Sequence, residues 1–518
     1  MGRNDYKWTY SNKQVSTRQR KKTVQTHLMI LFKIISNLLK SILAIAIIVI
    51  PLFVIAQKQG NIWYFGNHTG LNFNGGIPVP LTNGATYNAG GSCPSEGTAT
   101  LCDSTGSLLF YTNGQQVWNR NHQIMSNGND LRGNLSSTQT SLIIPQPGSS
   151  RYFYIFTVDD FCNDTLKYGF RYSIVDICSN NGLGDIISEK KNIKLLDTVC
   201  EKLTALRHAN GTDYWVIVHK YYSNAFYSYH LSAAGIIDTV ISQIGSRHPN
   251  ISGNQDTWDA IGQMKASPNG NKIAIVNGNA GAHAIAEYFN FDNSTGIISN
   301  WINLQTNLDY TSNHQYYGVS FSPDNSKLYI TCWLNNNGVY QFDLNAGNGN
   351  SDSIIASKTK ISDQFWHWAL QLGPDGKIYV LGTGSYMGVI NFPNNVGANC
   401  NFQDSAIYFN SYLVGMGLPN YVDSYDYSNT TRVCNDGIEE KVKNSELIFY
   451  PNPSTCYLTI ETIQKSEIEI SNMEGQIIKK FKITENKKII DISDFSSGIY
   501  IIRAWTNDGI MTKKFIKE

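Results

Sequence analysis

The residues best suited to proton transfer are Asp256, Asp259, His283, His314 and His367, which fall in or near loops entering predicted strands. Imidazole titrates near neutral pH and carboxylates are ionised there, so these types at a channel mouth suit general acid–base chemistry. Their spacing supports nothing more specific. Ten His in 518 residues include no His-x-His or His-Glu-x-x-His pair, and no Gly-x-Ser-x-Gly elbow or phosphate loop occurs. The Ser-x-Asp-x-Gly-x-Thr-Trp pattern of sialidases is also missing. No catalytic set, metal site or cofactor is therefore expected, and the Asp residues of the Ser-Pro-Asp turns read as hairpin geometry.

Aromatic residues are the stronger binding candidates. Trp258, Tyr316, Tyr317, Trp366 and Trp368, with His314 and His367 beside them, precede the first strands of three successive repeats. Such rings can stack on sugar rings or peptide groups, and they can equally fill the wedge between neighbouring sheets. Two function classes follow: a non-catalytic binding or adhesion module for an extracellular glycan or protein, and a secreted hydrolase or lyase acting at a channel mouth. Binding leads, because it needs only an exposed rim.

The elements that must position these residues are strands. The chain has 43 Gly, 30 Tyr and only 16% charged residues, a composition suited to strands joined by tight polar turns. A hairpin pattern recurs at Met264–Val276, Val319–Ile330 and Leu370–Val380, with prolines at 268, 323 and 374 placed 55 and 51 residues apart. Weaker copies span Leu203–Val218, Ser141–Phe156 and Ala99–Thr112. Units of this length with four strands each have propeller spacing, and a ring must close to shelter its end sheets. Asn61–Leu81 reads as a blade lacking its first strand, and Leu418–Tyr425 reads as that strand. The expected fold is all-β: a seven-bladed β-propeller over residues 57–427, with six or eight blades left open by long insertions. A polar linker (428–444) and a small immunoglobulin-like β-sandwich of seven strands (445–518) follow.

Residues 1–56 carry nine Lys and Arg against Asp5 alone; of the formal +1 they hold +8, leaving −7 for the rest. Nucleic acid is thus not an expected partner. Basic residues lead into the apolar run Ser41–Ala56, the layout of a signal peptide, with cleavage expected between Ala56 and Gln57. An uncleaved anchor is the alternative, because Leu28–Leu39 would extend the run to about a membrane-spanning length. The nine cysteines then reach a compartment that permits disulfides. Nearness in sequence points to Cys93 with Cys102 and Cys162 with Cys178.

Phe449-Tyr-Pro-Asn-Pro453, Ile468–Gly475, Ile490-Asp-Ile492, Phe495–Tyr500 and a Lys-rich end closely resemble the type A sorting domain of the type IX secretion system. Pro451, Asn452, Pro453, Gly475, Gly498 and Tyr500 carry the motifs, though each also suits a turn or core position in a small sandwich. The resemblance implies export, type IX machinery as partner, and a secreted or outer-surface location, with membrane contact only through the leader or later anchoring. Phe110–Asn119, Ser136–Gln139, Cys200–Thr204, His208–Trp215 and Gly417–Asn420 are similar to propellers of large type IX-exported surface proteins, a likeness that brings no catalytic residues with it.

Overall fold

A computed structural model describes residues 58–86, 96–162, 166–248, 257–278, 284–305, 315–334, 337–364, 366–382, 384–410, 412–423, 434, 447–462, 465–473, 475–485, 487–506 and 509–518. The leader, the Ala56–Gln57 cleavage site, Asp256, His283, His314, Cys93 and nearly all of the linker lie outside them. The chain divides into two units, Met1–Cys434 and Asn435–Glu518.

In the first unit each hairpin repeat becomes the first two strands of an antiparallel sheet. Met264–Ala266, Lys272–Val276, Ala286–Asp292 and Ile297–Asn303 form one such sheet in sequence order. Gln315–Phe321 opens the next sheet and Leu370–Leu372 the one after. Val199–Arg207, Ser141–Pro145 and Ala99–Cys102 likewise open sheets. The turns use their polar side chains: Ser322 Oγ accepts from Lys327 N at 2.8 Å, and Asp324 Oδ1 accepts from Ser326 N at 2.9 Å. The insertions after Asp159 and Asp185 leave sheet order intact; Asp185–Ile186 and Ile193–Leu196 both pair with Phe170–Asp176.

The first strands of successive sheets lie side by side, from Ala99–Cys102 through Leu370–Leu372. This is the arrangement of a β-propeller. Buried amides join these strands: Gln139 exchanges hydrogen bonds with Met264, and Gln263 Oε1 accepts from Val319 N and Leu370 N. Ile62–Phe65, Thr69–Asn72 and Val79–Leu81 form a three-stranded sheet. The expected completing strand at Leu418–Tyr425 does not ladder onto it over the described residues. Pro419 instead makes a parallel bridge to Thr98, and Tyr421 Oη donates to Ile62 O at 3.2 Å. Proline has no N–H to contribute to a ladder. Gly417 is required beside this bridge, because a Cβ there would lie 2.1 Å from Glu96 O.

The local disulfide expectations are corrected. Cys178 is bonded to Cys434, 256 residues away, so Cys162, itself disulfide-bonded, has a different partner. Cys102 is a buried, unbridged thiol. Sequence proximity favours short loops entropically, but a closing ring brings distant segments together at no further chain cost.

Glu287 lies buried where the sheet of residues 199–248 meets that of 264–303. It accepts from Ser246 N at 3.0 Å and Trp301 Nε1 at 2.9 Å. Burial pushes its carboxyl up to about 7. An unfolded Glu loses its proton near pH ~4.3, so between that value and about 7 the folded state holds more protons. Glu287 therefore contributes stability at low pH that is lost as pH rises through this window. In denaturant melts at pH 5 and pH 8, the loss of stability should be smaller in Glu287→Gln, by up to about 3 kcal/mol. An identical pH dependence in the two proteins would refute this.

The second unit is a two-sheet sandwich. Leu447–Tyr450, Tyr457–Thr462 and Lys487–Asp491 form one sheet; Ile477–Ile483, Ser466–Asn472, Gly498–Thr506 and Gly509–Lys517 form the other. Alternation places Leu458, Ile460, Ile468, Ile470 and Ile502 in its core. No helix among the described residues is long and apolar enough to cross a membrane.

Candidate functional site

Four tryptophans from three segments converge on one cluster. Trp258 lies on the short 3-10 turn Thr257–Asp259, Trp333 near the end of strand Lys327–Leu334, and Trp366 and Trp368 just before Leu370–Leu372. Trp333 is the hub: ring centroids lie 5.5 Å from Trp258, 5.8 Å from Trp366 and 5.3 Å from Trp368. Trp258 is 40% exposed and Trp366 is 41% exposed, so solvent-facing indoles flank a packed centre. Trp366 has φ +66°, a left-handed conformation that is costly for a bulky side chain.

The cluster leads inward to a buried acidic group. Tyr317 packs edge-on against Trp368 at 5.3 Å and donates from Oη to Glu96 Oε2 at 2.5 Å. Glu201 on the inner strand Val199–Arg207 accepts from Thr138 N, Thr138 Oγ1 and Phe161 N. The Thr138 hydroxyl also bears on Glu96, which places it between the two carboxyls. Burial, reinforced by the charge of Glu201, holds the Glu96 carboxyl well above the usual carboxylate range. Burial likewise pushes Glu201 up to about 7. The charge of Glu201 opposes ionisation of Glu96, which favours the protonated form of the latter.

Of the residues singled out from the sequence, Trp258, Tyr317, Trp366 and Trp368 come together. Tyr316 does not: successive strand residues face opposite sides, and its ring is buried in the core with Tyr288 and Phe321. His367 is also directed elsewhere, with Nε2 2.6 Å from Asp404 Oδ1 and its ring against Phe402. Elsewhere in the unit, His208 stacks on His230 with ring centroids 4.6 Å apart. Asp259 is buried, with Oδ1 accepting from Asn277 Nδ2. Sequence reading missed Trp333, Glu96 and Glu201: Trp333 and Glu201 sit inside strands and Glu96 just before one, and the Cys200–Thr204 block that holds Glu201 reads only as a family likeness.

In the sandwich, Pro451, Asn452 and Pro453 form a turn fastened to the last strand, because Asn452 Oδ1 accepts from Ile516 N at 2.8 Å. Gly475 supplies a turn at φ +85°, and Tyr500 is core, stacked on Phe515 at 5.4 Å. Gly498 starts the strand that holds Tyr500.

The first unit is a β-propeller, and the sandwich carries the motifs of a type IX sorting domain. Residues 448–518 match the family described as a secretion system C-terminal sorting domain. That domain indicates a secreted or cell-surface location and implies a partnership with the type IX machinery. No curated protein matches the chain. Among solved structures it is similar to PorZ, an essential surface component of the type IX secretion system of Porphyromonas gingivalis, at 8% identity over 87% of this chain and 68% of that one (TM-score 0.32). It is also similar to the Cps50 (Swd1) β-propeller domain of Myceliophteria thermophila (12%, 62% and 94%, TM-score 0.35). The periplasmic gluconolactonase PpgL of Pseudomonas aeruginosa is another (10%, 71% and 98%, TM-score 0.31). Likenesses at these scores carry no inference about activity.

Proposed function

We propose that the protein is a non-catalytic binding module, exported after removal of residues 1–56, whose seven-bladed propeller holds an extracellular glycan on the tryptophan face. The observation that carries this reading is the cluster around Trp333. Flat indole faces suit the apolar faces of sugar rings, and two of the four indoles are open to solvent. The conformation of Trp366 adds weight, since strain of order 1–3 kcal/mol persists where function requires the side chain's placement. Seven sheets among the described residues of the first unit, with the Pro419–Thr98 bridge between its two ends, support the blade count.

A second reading, a hydrolase or lyase, is favoured by one observation only: the paired carboxyls of Glu96 and Glu201 beneath Tyr317. Both are buried, so a substrate would need the side chains covering them to move.

One experiment separates the two. The purified protein is screened on a glycan array, and hits are titrated by tryptophan fluorescence. Trp366→Ala should raise Kd roughly 30-fold, about 2 kcal/mol, while leaving folding intact. Unchanged affinity in Trp366→Ala would refute the tryptophan face. Product release from a bound glycan that is lost in Glu96→Gln would establish the hydrolytic reading instead.

A further inference from the structure

Cys200, His219 and His248 come from three strands of one sheet: Val199–Arg207, Tyr214–Lys220 and Gly235–His248. Pairing places Val199 opposite Lys220, His219 opposite Phe226 and Ser223 opposite His248, so all three sit at the same end of the sheet. The ladder is irregular between Val199 and Leu203, and again between Ser223 and Ala225. Bulges re-aim side chains, and here they adjoin Cys200 and His248.

The geometry is that of a ligand set. Cys200 Sγ lies 3.7 Å from His219 Nδ1 and 3.8 Å from His248 Nδ1, and the two imidazole centroids are 4.2 Å apart. One candidate ligand atom from each of the three residues lies within 4.8 Å of the other two, a little wider than the roughly 3.3–3.6 Å that separates ligand atoms around tetrahedral zinc with bonds of about 2.3 Å to sulfur and 2.0–2.1 Å to nitrogen. All three side chains are buried, and both Nε2 atoms lack a hydrogen-bond partner. A buried polar nitrogen without a partner is costly, and two of them, on imidazoles that flank one buried thiol, call for an explanation. Donation from His248 Nδ1 to the main-chain carbonyl of Asp259, 3.1 Å away, places the lone pair on the unused Nε2. A nucleophilic Cys–His pair would share these residue types, but no substrate reaches a fully buried sulfur.

We propose that Cys200, His219 and His248 bind a zinc ion. One thiolate with two imidazoles is a donor set for this metal, and a fourth position is left for water or a carboxylate. The role is structural. The metal clamps one end of the sheet, and through the His248–Asp259 contact it holds the turn that carries Trp258.

The test is metal analysis of the secreted protein purified without a metal-affinity tag, then stripped with chelator and titrated with Zn²⁺ or Co²⁺. About one zinc per chain is expected. Cobalt should give a thiolate-to-metal charge-transfer band, and Cys200→Ser and His219→Gln should each cut zinc content at least tenfold. The wild-type titration stands even if a variant fails to fold. No stoichiometric uptake by the wild type, or full zinc retention in a folded Cys200→Ser, overturns the proposal.

Discussion

A chain lacking residues 448–518 is expected to accumulate inside the cell envelope, with its extracellular and surface-bound amount falling at least tenfold. These residues are the sorting domain, and they form a folded object rather than a linear tag: two sheets enclose Ile460, Ile468, Ile470 and Ile502. A domain this small has only about 3–5 kcal/mol of stability to lose. Ile468→Asp places a charge at a fully buried position between Phe481 and Ala504, where an unpaired carboxylate costs as much as the whole margin. It should reproduce the deletion, whereas Lys513→Ala, on an exposed side chain, should not. Immunoblots of medium, surface and periplasm, with intact mass of each form, give the readout. Undiminished export of the deletion would remove the address from this domain.

Trp63→Ala is expected to cost about 3–5 kcal/mol in the first unit, the range for a large buried aromatic. Trp63 is fully buried, with ring neighbours drawn from both ends of the unit: Phe73 at 4.9 Å, Tyr379 at 5.3 Å and Tyr421 at 6.0 Å. Its Nε1 donates to Gly60 O at 2.8 Å. The truncation therefore opens a cavity where the ring closes, and the end sheets lose their shelter together. Trp258→Ala, at a 40% exposed position, should cost about 1 kcal/mol or less. Denaturant unfolding of the two variants side by side decides the matter. Equal costs would mean that closure does not depend on this junction.

Several features were legible because their causes are local. A turn of Pro, Asn, Asp or Gly between two apolar strands makes a hairpin wherever it occurs, so the repeats around Pro268, Pro323 and Pro374 could be read directly. The seven sandwich strands follow from alternation in the same way, and the motif blocks around Pro451–Pro453 and Tyr500 pointed to export. Tyr316 shows the limit of this approach. It was grouped with Tyr317 because they are neighbours in sequence, yet strand geometry sends the two rings to opposite faces.

By itself the sequence determined the all-β class, the order of the hairpins and the sorting domain, since each depends on interactions spanning a few residues. Only the tertiary structure decided what the closing ring brings together. Cys178 meets Cys434, Trp333 becomes the hub for Trp258, Trp366 and Trp368, and Tyr317 reaches Glu96 across 221 positions. Cys200 lies 19 residues from His219 and 48 from His248, spacings that match no metal motif because the ligands come from three strands rather than one turn. Local spacing reports on turns, whereas the partners of an inner strand are set by closure of the whole ring.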